Sequence, residues 1–538
     1  MNIFGMFNRH GRPNRFISGR THGYDVWLND AIYFDDNDVL RCSPSYDIED
    51  HLDDLNMILS TYMTMVGETY HQKMRYYKGD HKDIQDKPIK DELGDDKNRV
   101  VVSVAKNLVN TFNGYFIGVP PKITYAPTDD GKTQAKKVND VISQALSVSD
   151  SDDVFYEWSK SSDIYGRGYL VAYIANDDNK TLKFSQKGPE NALIVYSNRN
   201  DSDPIFAVTF DYVDGRYFGS VYTPAHIYQF DNSDMVRHWH PFSSSQQFID
   251  RVDAHDGVVA NPFGMIPVIE LPENNERLGL YDDLISLIDH QDQVLSALMD
   301  DISYFSNAIM VTKGVAPLND KDKQDIKHWR VMQIQNDGGS EDASVEFLDK
   351  PNSNELQENA LKHLSDNIYD GAQVVNLSDP ALSSSASGKA LEQKMQPMTM
   401  LASTKAEKMR TAIKRLLTII LNQNGGFGNQ DDIAELVRQI KIEFTPNIPH
   451  SDIDEATVVK NLNGIISKPA LLSYLSRINN VDDEIKREEQ EKEQNAQKFN
   501  SAGPTDGSPD DSNGDKDDQS PGAKDDDAPP SIKGGDDK

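Results

Sequence analysis

The pattern of apolar and polar positions divides this 538-residue chain into helical and β-rich stretches. Leu52, Leu55, Leu59, Met63, Val66 and Tyr70 recur at three- and four-residue steps, which predicts an amphipathic helix over residues 47–77. After a charged loop, NRVVVSVAKNLVNTFNGYFIG (98–118) reads as a second helix, stopped by Gly118 and the Pro120–Pro121 pair. Residues 150–165 read as a third. From Tyr169 to Ile269 the period shortens. YLVAYI, ALIVYS, IFAVTFDYV, YFGSVYT and HIYQF are β-branched and aromatic runs separated by Gly, Asn, Asp and Pro, the mark of an antiparallel sheet region.

A helical half follows. Across residues 280–307, Leu284, Ile288, Gln291, Leu295, Leu298, Ile302 and Phe305 fall on one face. Asp282, Asp283, Asp289, Asp292, Asp300 and Asp301 fall on the other, with Ile285 as the exception. Residues 308–352 form a small inserted unit: strand-like AIMVTKG, a helix DKDKQDIKHWRVMQI, and strand-like SVEFLDK. Its helix carries Lys321, Lys323, Lys327 and Arg330, either a solvated basic face or a docking surface. A helix over 353–375 presents Leu356, Ala360, Leu364 and Ile368. Beyond a small-residue loop, Leu391 to Ile420 mark a helix of about 50 Å at 1.5 Å per residue, kinked or restarted at Pro397 and ended by Gly425–Gly426. A strand QIKIEF and short helices lead to a Glu/Lys-rich helix near residue 495.

Charge changes this picture in two ways. A net charge of −32 opposes a basic grip on nucleic acid, because phosphate affinity comes from Lys and Arg displacing counterions. Residues 501–538 hold 11 Asp against 4 Lys and almost nothing to bury, so they are expected to be disordered. The single cysteine, Cys42, permits no intrachain disulfide and fits a reducing compartment. The first 20 residues carry Arg9, Arg12, Arg15 and Arg20 but lack the apolar core of a signal peptide, and no apolar run reaches the about 18–20 residues that span a bilayer.

Candidate chemistry is sparse. SDPALSSSASGKAL (378–391) ends in a Gly-Lys pair before a long helix, as a phosphate-binding loop would. That loop needs a first glycine and a magnesium-binding hydroxyl, where this chain has Ser383 and Ala390, and a helix rather than a strand precedes it. ATP binding is set aside in favour of a flexible loop capping a helix. His238 and His240 share one strand face without a third ligand at a telling spacing, the many aspartates form no fixed two-metal motif, and no nucleophile elbow is present. No catalytic residue, metal or cofactor is expected. Met395, Met398, Met400 and Met409 read as core or interface packing on the long helix.

Several stretches, in this order, resemble the SPP1-like family of phage portal proteins: RYYKGDH (75–81), NRVVVSVAKNLVNTFNGYFIGVPPKITY (98–125), the run IPVIELPENNERLGLYDDLISLIDHQDQ onward through 266–314, IEFTPNIPHSDIDEA (442–456) and ISKPALLSYLSRINNVDDEIKREEQE (466–491). The resemblance implies an α+β portal fold assembled as a ring, usually of twelve subunits, at one capsid vertex. It implies an arm (1–45), a mixed wing (46–279), a first stem helix (280–307), an α/β clip (308–352), a second stem helix (353–375), a tunnel loop (376–396), a spine helix with return strand (397–449) and a crown (450–495) before the acidic tail (496–538). Implied partners are double-stranded DNA passing without sequence specificity, the terminase large subunit, a head-completion protein, and major capsid and scaffolding proteins, with no membrane. The virion vertex is the implied location, with assembly in the host cytoplasm.

In such a ring the acidic face of residues 280–307 has a use: an acidic channel repels phosphates and lets DNA slide. Asp282, Asp289, Asp292 and Asp300 are the candidate channel-lining residues. Ser383, Ser384, Ser385, Ser387, Gly388 and Lys389 are the candidate DNA-facing loop, with Lys389 the one plausible phosphate contact. Lys321, Lys323, Lys327 and Arg330 are candidates for docking the motor. The alternatives are a packaging ATPase or nuclease, and a scaffold or adaptor without a channel.

Overall fold

The computed structural model describes residues 26–27, 31–52, 54–86, 97–127, 132–178, 180–213, 216–232, 240–241, 258–305, 310–313, 344–347, 354–378, 388–447, 452–472, 475 and 484–492. The chain divides into two units, Met1–Ile448 and Pro449–Lys538.

In the first unit, the predicted amphipathic helix forms as α1 (Asp54–Tyr62) and α2 (Glu68–Lys78), joined by a π-helical turn at Met63–Gly67. Gly79 ends α2 in the left-handed conformation, its N–H reaching back to the last turn. A short α3 (Lys82–Gln85) follows. The stretch 98–118 departs from expectation. Only α4 (Val104–Ile117) is helical, and 98–103 are non-helical. Three consecutive valines, 100 to 102, disfavour helix, and side chains elsewhere satisfy the backbone there, as shown below. Helices α5 (Lys132–Val148) and α6 (Ser151–Tyr165) complete this half, and Gly166 caps α6 with φ +86°. A Cβ at Gly166 would lie 1.9 Å from the Arg277 carbonyl oxygen, so only glycine fits this crossing.

The β-rich stretch yields two sheets. Strands β1 (Val26–Trp27), β2 (Ile32–Phe34), β3 (Leu40–Cys42), β7 (Ala192–Ser197), β8 (Pro204–Val213), β9 (Arg216–Tyr222), β10 (His226–Asn232) and β11 (His240–Pro241) run in that order, with β12 (Val258–Ala260) also on β10. All pairs are antiparallel except β3 with β7. The second sheet places β5 (Arg167–Ile174) between β13 (Val268–Pro272) and β6 (Leu182–Lys187), and β4 (Lys122–Tyr125) pairs with the return strand β16 (Ile440–Glu443).

The helical half contributes α7 (Ile285–Phe305), α8 (Asn354–Ala372), α9 (Gly388–Asn424) and α10 (Gln430–Gln439). The last is opened by an Asn429 capping box. Along α9 the buried positions Ala402, Ala406, Met409, Ile413, Leu416 and Ile420 keep a three-to-four step, so one stripe of the helix enters the same core as Phe112, Phe155 and Trp158. In the second unit, α11 (Asp452–Leu462), α12 (Lys468–Leu472) and a helical stretch at 484–492 fall within the helical region expected there, and Lys468 pairs with Glu488.

Candidate functional site

Helices α7 and α8 form an antiparallel pair. At one end Gly371 meets Leu284, so closely that a Cβ would lie 2.6 Å from Leu284 Cδ2; at the other, Gln357 Nε2 donates to Asp301 Oδ2 at 2.8 Å. The chain between them carries β14 (Met310–Lys313) and β15 (Ser344–Phe347), antiparallel with Met310 opposite Phe347. The two strands expected in the inserted unit are therefore present. Lys321, Lys323, Lys327 and Arg330 lie outside the described residues.

The acidic face expected on α7 is not a free surface: of the channel-lining candidates, Asp282 and Asp292 are buried, which corrects their assignment, and Asp289 and Asp300 are half-buried. Asp282 is 2% exposed and lies in the 3₁₀ turn just before α7; its Oδ2 is 2.6 Å from Lys73 Nζ and accepts the Gly279 N–H at 2.8 Å. Asp292 is fully buried, with Oδ2 at 2.5 Å from His81 Nδ1 and Oδ1 accepting the Val102 N–H at 3.0 Å. The Tyr76 hydroxyl donates to Asp289 at 2.7 Å, and burial raises that carboxyl above its ordinary range. Asp300 accepts the Asn98 N–H at 2.6 Å and the Asn98 side-chain amide at 2.9 Å.

These contacts have a common geometry. Val102, Val100 and Asn98 donate alternate backbone N–H groups to Asp292, Ser296 and Asp300, three residues spaced one helical turn apart. Four helical residues advance about 6 Å, and two extended residues about 6.6 Å, so the two repeats match over three rungs. Segment 98–102 is a strap that runs antiparallel to α7 and takes its backbone partners from that helix. The sequence reading missed it because a 3.6-residue period of acceptors has the same signature as a solvated acidic stripe.

What the pair exposes follows from this. Ser286, His290, Gln293 and Ala297 are the exposed face of α7, and none is a carboxylate. On α8, Glu355, Glu358, Asp366 and Asp370 are exposed, with Lys362 among them. Steps of three, four and eight put them on one side of that helix. The apolar stripe of α7 is buried at Leu284 and Ile288 and emerges at Met299 and Ile302, the latter 53% exposed; Leu356 on α8 is 74% exposed, against expectation.

Among the predicted loop residues, Ser383, Ser384, Ser385 and Ser387 lie outside the described residues. Gly388 and Lys389 are the first two residues of α9, so the helix opens before the expected boundary at 396. Pro397 sits inside a continuous helix. Its missing N–H leaves the carbonyl of Gln393, an exposed residue, to solvent. Met395, Met398 and Met409 are buried and Met400 is exposed. A cleft of about 320 Å³ opens at the root of the loop, lined by Asp370, Gln373, Asn376, Lys394 and Pro397 among others. Gln373 closes α8 there in the left-handed region, φ +56°, with Val374 N–H bonded to Tyr369 O.

Buried ionisable groups tie these helices to the sheets. Lys405, inside the apolar stripe of α9, pairs with Asp163 of α6 and with Glu273 at 2.9 Å. Glu270 on β13 accepts from Arg277 at 2.9 Å and from the Tyr196 hydroxyl at 2.6 Å, with Arg167 at 3.8 Å; although burial opposes it, the two guanidiniums hold its carboxyl down at about 2. Lys405 had a signal in the sequence, being three residues after Ala402 and four before Met409. Cys42 is buried, and burial pushes its thiol up to about 12, far from nucleophilic. Among the described residues no group of three or more His, Cys, Asp or Glu could hold a metal ion, and no helix is long and apolar enough to cross a membrane.

The ionisable groups described here hold elements together, and a helix pair, a two-stranded unit between its helices and one long helix join the sheets in an α+β fold. The family model described as "Phage portal protein, SPP1 Gp6-like" matches residues 67–498. The portal protein of Bacillus phage SPP1 is 24% identical over 408 residues, covering 74% of this chain and 77% of that protein. The chain belongs to the SPP1-like family of phage portal proteins.

Proposed function

We propose that the protein works as a closed ring, of twelve copies by analogy with the family, at one capsid vertex, where double-stranded DNA enters during packaging and leaves on ejection. The observation that carries this reading is the family match over residues 67–498. On it, 46–279 serve as the wing, α7 and α8 as the stem, and the unit around β14 and β15 as the clip that docks the terminase large subunit and then a head-completion protein, with Lys321, Lys323, Lys327 and Arg330 as docking candidates. Residues 376–387 and the start of α9 serve as the tunnel loop, in which Lys389 meets passing phosphates. The helices after 449 serve as the crown, facing capsid and scaffolding proteins in an assembly formed in the host cytoplasm. Electron microscopy of the purified protein is expected to show rings with a central hole; monomers or open filaments at all concentrations refute the reading.

With Asp282 and Asp292 buried, the bore-facing acids are better sought on α8. Glu355, Glu358, Asp366 and Asp370 form an exposed stripe free to act on phosphates within the about 8–10 Å over which physiological salt screens charge. Neutralising all four is expected to slow packaging, most at low salt, while rings still form; unchanged packaging with intact rings removes the assignment.

A further inference from the structure

The buried cluster on the long helix carries more negative charge than its one lysine can balance. Lys405 and Asp163 have fully buried side chains and that of Glu273 is nearly so. The ammonium donates to Asp163 Oδ1 and to the Ser159 carbonyl at 3.0 Å, and it lies 2.9 Å from Glu273 Oε2. Ser162 Oγ lies 2.8 Å from Glu273 Oε2. Asp163 Oδ2 and Glu273 Oε1 are left with no donor among the described residues, while both carboxyl groups crowd the same ammonium.

Among the described residues no other cation enters this space. The α4 face offers the rings of Phe112 and Phe116, 5.3 and 5.5 Å from Lys405 Nζ. From the turn before α7 come Tyr281 and Asp282, and Asp282 is matched by Lys73 of α2 at 2.6 Å. Arg167 on β5 and Arg277 in the chain after β13 are engaged by Glu270. On α9 itself, Lys408 turns to Asn275 and Glu407 to Arg410. Two carboxylates on one ammonium cannot both ionise cheaply away from water, because like charges at this separation disfavour the second ionisation.

We propose that Asp163 and Glu273 share one proton at neutral pH, so that the cluster is electrically neutral and locks the middle of α9 to α6 and to the chain after β13 in a proton-dependent way. The proton supplies the donor that joins the two carboxyl groups. Burial pushes the Asp163 carboxyl well above its ordinary range, Lys405 opposes this and Glu273 adds to it, in keeping with the geometry. Since the folded state holds the proton more tightly than the unfolded one, its stabilising effect is complete below the ordinary carboxylate value and is lost as pH rises through the folded value.

The test is urea unfolding of the full-length protein at fixed concentration from pH 5 to pH 9, for wild type, Asp163→Asn, Glu273→Gln and the double variant. An asparagine amide supplies the donor permanently. The ratio of the wild-type folding constant to that of Asp163→Asn is expected to fall with rising pH, by up to tenfold per unit. The two single variants should fold, each leaving one carboxylate for Lys405, and the double variant should lose far more than their sum because it strands the ammonium. A ratio that stays flat or rises between pH 5 and pH 8 overturns the proposal. If Asp163→Asn fails to fold, infrared difference spectra of wild type against Glu273→Gln at pH 7 decide: a protonated-carboxyl C=O stretch present only in wild type supports the shared proton, and its absence overturns it.

Discussion

Replacing Asp292 by alanine separates the two roles open to a carboxylate on α7. Its side chain and that of His81 are fully buried, and it accepts from His81 Nδ1 at 2.5 Å and from the Val102 N–H at 3.0 Å. Alanine leaves the buried His81 Nδ1 without its partner, at about 1–3 kcal/mol, and gives the N–H of the exposed Val102 to water at little cost, so a loss of roughly 1–3 kcal/mol is expected. Asparagine keeps one acceptor oxygen and should cost about half as much. The loss should also be local. The Val102 amide, and the Val100 amide that bonds Ser296 at 2.9 Å, should gain hydrogen exchange before the sheets do, because side chains rather than a backbone ladder accept these N–H groups. Chemical unfolding followed by amide exchange mass spectrometry reads both effects. A residue that merely lines a water-filled bore would show neither; Asp292→Ala within about 0.5 kcal/mol of wild type, with strap protection unchanged, would refute the ladder.

Two further outcomes follow from other sites. Glu270→Gln should cost about 3 kcal/mol at pH 7, since a carboxyl held near 2 contributes stability that is present above its ordinary value of 4.5; that difference should vanish as pH falls from 4.5 through 2, as read by urea unfolding of both proteins. Gln373→Gly should raise stability by about 0.5–1 kcal/mol in thermal unfolding, because Gln373 ends α8 at φ +56°, where a side chain is strained and glycine is not.

The residue order by itself determined the elements. Periods of two and of three to four fixed the strands from Tyr169 to Ile269, the long helix over Leu391 to Ile420 and the helices at either side of the inserted unit, because those periods are imposed by backbone geometry within one segment. Stretches such as RYYKGDH and IPVIELPENNERLGL were also enough to suggest the family that the match over 67–498 establishes. The failures share one cause. Whether Asp292 faces water or His81, and whether Val100 to Val102 are helix or strap, depend on residues far away in the chain: 211 positions separate His81 from Asp292, and 190 separate Val102 from Asp292. Periodicity records which side of an element a residue lies on, and not what covers that side. A charge becomes affordable to bury only when a distant partner supplies its hydrogen bonds, and only the tertiary structure brings that partner within 3 Å.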